Sequence, residues 1–106
     1  MAIRPLFHKL TNKTFMRIES IIREGKGTIV DVRTPGEFMG GNVKGSINIP
    51  LQEIPERMDE IKSLNQPLVL CCASGGRSGN AEGYLSHNGV DCVNGGPWYI
   101  VDQMVN

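Results

Sequence analysis

An α/β fold, a small parallel β-sheet flanked by helices on both faces, is what this chain predicts, and three observations carry it. The run Thr28–Val32 is short, β-branched and continuous, as a strand buried on both faces is, and Leu68–Cys71 and Val90–Val93 are further short apolar runs that read as strands. Between them lie segments whose apolar residues recur every three or four positions, the period of a helix. Glycine or proline stands at most of the junctions. Strands alternating with helices in this way pair in parallel, and their functional loops gather at the carboxyl ends of the strands.

The elements follow in order. Phe15, Ile18, Ile21 and Ile22 predict a helix over Thr14–Arg23, with Thr11 or Asn12 available as its cap and Gly25 and Gly27 ending it. After the strand Thr28–Val32, Pro35 suits the first position of a short helix reaching Met39. Ser46–Pro50 alternates and is stopped by proline, so a brief strand is expected there. Ile54, Met58, Ile61 and Leu64 predict one amphipathic helix over Leu51–Leu64. Beyond the strand Leu68–Cys71 come a helix over Ser78–His87, the strand Val90–Val93 and a closing helix over Pro97–Val105.

A chain of 106 residues fits one domain. Eleven basic residues balance eleven acidic ones, so no net field is available to hold nucleic acid or an anionic membrane. The amino-terminal stretch lacks the apolar core of a signal peptide, and no run approaches the roughly 20 apolar residues of a spanning helix. Three cysteines, two of them adjacent, make no disulfide framework. A cytoplasmic location with reduced thiols is therefore expected. His8 and His87 have no metal-ligand spacing, and neither a metal nor a cofactor is implied.

The chemistry concentrates in Cys72-Ala73-Ser74-Gly75-Gly76-Arg77-Ser78, a junction between a strand and a helix. A free thiol, with a pKa of about 8.5, is only slightly ionised at neutral pH, yet the thiolate is the nucleophile. Three features favour the anion at Cys72. The helix start turns unpaired N–H groups and a positive dipole end toward the loop. Gly75, Gly76 and Gly79 allow successive amides to converge as an anion nest. Arg77 adds a permanent cation. The expectation is a reachable thiol with the neighbouring amides turned toward it.

These residues resemble the C-x-x-G-x-R-S loop of single-domain rhodaneses. Asp31-Val32-Arg33-Thr34-Pro35-Gly36-Glu37-Phe38 is similar to their D-V-R-x-x-x-E-F segment, and Gly45-Ser46-Ile47-Asn48-Ile49-Pro50 to their G-A-x-N-I-P. Asn94-Gly95-Gly96-Pro97-Trp98 resembles their closing G-G motif, and Asn42 stands where many members carry histidine. The resemblance covers the chain from about Leu10, so residues 1–9 are read as an extension and 10–106 as the rhodanese-like domain. It implies a sulfurtransferase that moves a sulfane sulfur through a persulfide on Cys72. The donor would be thiosulfate, a polysulfide or a protein persulfide, and the acceptor a thiol, a cyanide-like nucleophile or a protein. On this resemblance Ala73, Ser74, Gly75, Gly76 and Ser78 cradle the persulfide, while Arg77 binds the anionic donor and stabilises thiolate and leaving group. The alternative is a non-enzymatic sulfur-carrier or regulatory module on the same fold. Phosphatases with a similar loop place five residues between cysteine and arginine; here there are four, a ring suited to one sulfur atom rather than a phosphate.

Other residues carry two readings each. Arg33 either binds donor or acceptor at the rim or forms an ion pair with Asp31, two residues away on the same strand face. Ser78 either donates its hydroxyl to bound sulfur or caps the helix. Cys71 belongs to the core or resolves the persulfide. Cys92 is expected to be buried and inert, Trp98 to anchor the closing helix, and Met16, Met39, Met58 and Met104 to fill the core.

Overall fold

In the computed structural model residues 12–105 are described; residues 1–11 and 106, which include the expected extension over 1–9, the Thr11 cap candidate and His8, lie outside them. The chain runs α1 (Asn12–Arg23), β1 (Thr28–Asp31), α2 (Pro35–Met39), β2 (Ile47–Asn48), a 3-10 segment (Leu51–Arg57), α3 (Met58–Lys62), β3 (Leu68–Cys72), α4 (Gly76–His87), β4 (Cys92–Pro97) and α5 (Trp98–Val105). The four strands form one parallel sheet in the order β2-β1-β3-β4. This is the predicted α/β architecture.

The sheet is buried on both faces because its central strand alternates between two cores. Leu68, Leu70 and Cys72 of β3 face a core built with Ile54, Ile61 and Leu85. Val69 and Cys71 face the opposite core, with Ile18, Ile21 and Val101 from α1 and α5. All five β3 residues are buried, which is why this strand reads as a continuous apolar run. Burying such side chains stabilises the fold by about 1.5–3 kcal/mol each, the larger for Leu and Ile.

Four expectations need correction. The segment Leu51–Leu64 is not one helix: Pro55 has no N–H to donate, so the chain runs as a tight 3-10 coil to Arg57 and becomes α-helical only at Met58. Ile54 and Ile61 still reach the core. Helix α4 begins at Gly76, not Ser78, because Gly75 takes the capping position at φ +102°, a left-handed conformation that favours glycine. Strand β4 starts at Cys92 and runs to Pro97, since Val90 closes the end of α4 by donating its N–H to Leu85 O (3.0 Å). Finally, Met16 and Met39 are 60% and 82% exposed; only Met58 and Met104 pack against the cores.

One irregularity matters for the site. The pairing of β3 with β4 slips between Leu70 and Cys71, so that Leu70 faces Asn94 while Cys71 faces Gly96. Gly95 occupies the slip. A Cβ there would lie 2.9 Å from Val69 Cγ1 and 3.0 Å from Leu70 O, so only glycine fits. The bulge re-aims the residues beside it.

Candidate active site

Cys72 is the last residue of β3, and the loop that follows folds back over it. Gly75 N–H donates to its Sγ at 3.0 Å and Ser78 N–H at 3.4 Å, while Ser78 Oγ lies 3.3 Å away. The amides therefore turn inward, as the sequence leads one to expect. The thiol is not open, however: Cys72 is 1% exposed, covered by a loop whose Ala73, Ser74 and Gly76 face solvent. Burial pushes the thiol pKa up, but hydrogen bonds from the Ser78 hydroxyl and from the Ser78, Gly75 and Ser74 amides outweigh it and hold it below its ordinary value. Hydrogen bonding is the main support of the thiolate.

Arg77 sits differently from the expectation. Its guanidinium forms a two-pronged pair with Glu37, at 2.7 and 3.0 Å, instead of closing on the sulfur. Glu37 is presented by α2, where Thr34 and Glu37 form a reciprocal cap: Glu37 N–H donates to Thr34 Oγ1 (3.2 Å) and Thr34 N–H to Glu37 Oε1 (3.0 Å). The spacing Thr34-x-x-Glu37 carried that signal. The Glu37 pair, and at longer range Cys72 itself, raise the Arg77 pKa, so the cation remains within electrostatic reach of the thiol.

Arg77 first, then the Thr34 amide, lower the Glu37 pKa to about 2. A depressed carboxylate stabilises the fold fully above its unfolded pKa and loses that contribution as pH falls through the folded value. Unfolding at decreasing pH should therefore show stability falling from about pH 4.5 toward 2, and Glu37→Gln should flatten that part of the curve. A wild-type slope unchanged in Glu37→Gln would contradict the assignment.

Arg33 forms the ion pair with Asp31. It is 5% exposed beside a fully buried Asp31. Its Nε donates to both Asp31 oxygens (3.0 and 3.1 Å), one terminal nitrogen reaches Asp31 Oδ2 (2.8 Å) and Gly41 O (2.6 Å), and its carbon lies 4.8 Å from the Trp98 ring centre. The residue ties β1, the loop after α2 and the start of α5 together. Trp98 anchors α5 through the same stack. Cys71 points into the core away from Cys72, its thiol pushed up by burial, and Cys92 is buried with its thiol likewise raised.

Sequence reasoning passed over Asn94, whose side chain reaches both Gly75 and Ser78. Its approach depends on the strand slip, which no local pattern announces. Among the described residues no group of three or more His, Cys, Asp or Glu could hold a metal ion. No helix among them is long and apolar enough to cross a membrane.

Gly75 is the residue on which the geometry turns. Gly75→Ala would force a side chain into the left-handed conformation at a cost of about 1–2 kcal/mol. The expected result is a folded but less stable protein whose Cys72 alkylates more slowly at neutral pH. Alkylation at the wild-type rate would contradict the donor role of the Gly75 amide.

The site is thus a strand-end thiol in a parallel α/β domain, held by the amides of the loop and the next helix start. The family model for the rhodanese-like domain matches residues 17–96, and the chain belongs to that family. The chain is 42% identical over 64 residues to the uncharacterized protein YqhL of Bacillus subtilis (60% of this chain, 50% of that protein). It is 38% identical over 65 residues to the thiosulfate sulfurtransferase PspE of Escherichia coli (60% of this chain, 62% of that protein). The chain thus spans less than two thirds of either relative. A solved structure described as rhodanese with anions, from E. coli, superposes with a TM-score of 0.62 at 33% identity, covering 69% of this chain and 88% of that one.

Proposed function

We propose that this domain is a sulfurtransferase that carries a sulfane sulfur on Cys72. The single observation that carries the reading is the set of inward hydrogen-bond donors on the Cys72 sulfur. Donors that hold a thiolate also suit the terminal sulfur of a persulfide, which is likewise anionic. In the first half-reaction the thiolate attacks the outer sulfur of thiosulfate, a new S–S bond forms, and sulfite leaves with the electron pair of the old one. In the second, a nucleophile such as cyanide takes the outer sulfur and returns the thiolate. Polysulfide or a protein persulfide serves equally as donor, and a thiol or a protein as acceptor. Ala73 to Ser78 wrap the sulfur, and Arg77, held at the mouth by Glu37, attracts an anionic donor. The domain takes in residues 10–106 and works in a reducing, cytoplasmic setting.

The near-complete cover of Cys72 favours a second reading, a carrier that loads once and turns over slowly. Intact mass after incubation with thiosulfate or polysulfide tests the first. The protein should gain one sulfur atom, and cyanide should remove it. No gain with either donor overturns the proposal. Stoichiometric loading without multiple turnovers of thiocyanate selects the carrier.

A further inference from the structure

Asn94 is tied into the sulfur pocket by both polar atoms of its side chain. Its Oδ1 accepts from Ser78 Oγ at 2.7 Å and from Gly96 N–H at 2.9 Å. Its Nδ2 donates to Gly75 O at 3.1 Å, and its backbone N–H donates to Glu82 Oε2 at 3.2 Å. Gly79 makes room for it: a Cβ at that position would lie 3.3 Å from Nδ2. The two residues it grips on α4 and the preceding loop, Gly75 and Ser78, both reach Cys72 Sγ.

We propose that Asn94 is the positioning residue of the sulfur pocket, its side-chain amide fixing the Gly75 peptide and the Ser78 hydroxyl in the arrangement that serves the Cys72 sulfur. The role rests on the sulfur-carrier reading of Cys72. Two physical points carry it. Gly75 O already accepts the first helical bond from Gly79 N–H (3.0 Å), and the second donor from Asn94 pins the same peptide from the β4 side. A glycine with φ of +102° has no side chain to hold its own orientation, so the restraint must come from outside. The Ser78 hydroxyl, moreover, has one proton and two acceptors. While Cys72 is a thiol, S–H can donate to Ser78 Oγ and the hydroxyl to Asn94. Once Cys72 is an anion, the hydroxyl turns its proton to sulfur, and Asn94 Oδ1 keeps its bond from Gly96. The sulfur thus changes charge without leaving a buried polar group unpaired.

The test reads the pH profile of Cys72 alkylation by iodoacetamide, followed by peptide mass, in Asn94→Ala and Asn94→Asp. Asn94→Ala frees the Gly75 peptide and should slow alkylation at pH 7 by about tenfold, the worth of losing the Gly75 N–H bond to the anion, with the midpoint moved up. Asn94→Asp is the same shape but cannot donate to Gly75 O and adds a negative charge, so it should be slower still. Apart from the new carboxylate of Asn94→Asp, the charged groups around the pocket are the same in both variants: Glu82 on α4, the Arg77–Glu37 pair from α4 and α2, and the Asp31–Arg33 pair of β1. Thermal melts establish that each variant is folded. Folded variants whose profile overlies the wild type, or whose midpoint falls, overturn the proposal. Should neither fold, Gly79→Ala decides: alanine favours the helix while pressing on Asn94, and slower alkylation is expected. A wild-type profile in Gly79→Ala overturns the proposal. Because alkylation needs no sulfur donor, a wild type that alkylates readily yet loads no sulfur refutes the proposed function and leaves the Asn94 role standing. Asn94 variants that load and alkylate like the wild type do the reverse.

Discussion

Cys72→Ala should remain folded and take up no sulfur from thiosulfate or polysulfide, where the proposed function expects the wild type to gain one atom. The loss is complete because no other thiol can substitute. Cys71 lies on the opposite face of the sheet, fully buried, and Cys92 is buried with its thiol raised. Removing Sγ leaves the Gly75 and Ser78 amides without their acceptor, at about 1–3 kcal/mol for each unpaired group. Against a total of about 5–15 kcal/mol the domain survives. Cys72→Ser is the companion: a hydroxyl still accepts from both amides, yet it stays protonated at neutral pH and should load nothing. Intact mass checks both, and sulfur uptake by either variant would remove Cys72 from the mechanism.

Arg33→Ala should cost about 3–5 kcal/mol of stability. It leaves the carboxylate of Asp31, which is 0% exposed, in the interior without its cation. It also removes the donor to Gly41 O and the cation stacked on Trp98, loosening the start of α5. The paired change Asp31→Leu with Arg33→Met should recover most of the loss, because two apolar groups leave no buried charge behind. Urea unfolding measures both. A single variant within about 1 kcal/mol of wild type would show that the pair is solvated in solution. The sulfur chemistry of a folded Arg33→Ala protein should be retained, since the guanidinium is spent on scaffold contacts.

These two residues show what the sequence could and could not tell. The strand Leu68–Cys71 was legible because burial on both faces erases alternation, and that made Cys72 a strand end with a loop beyond it. The glycine pair and the following helix were legible for the same local reason. The start of that helix was not: Gly75, a residue that permits a left-handed cap without requiring one, sets it two residues early. The partner of Arg77 lies 40 residues upstream on α2, and Asn94 arrives through a register slip between two strands. Both depend on pairing between distant segments, which no window of sequence contains. Arg33 was read as a choice between rim and ion pair, and only its burial decides for the pair.

Among the described residues the order of the strands leaves β2 and β4 as the borders of the sheet. One border is two residues long. The other is broken by the slip at Gly95 and ends in Pro97, which has no N–H to offer. Neither offers a long, regular row of amides on which a foreign chain could add itself. The same kink that brings an asparagine to the sulfur therefore also discourages fibrous self-association at high concentration.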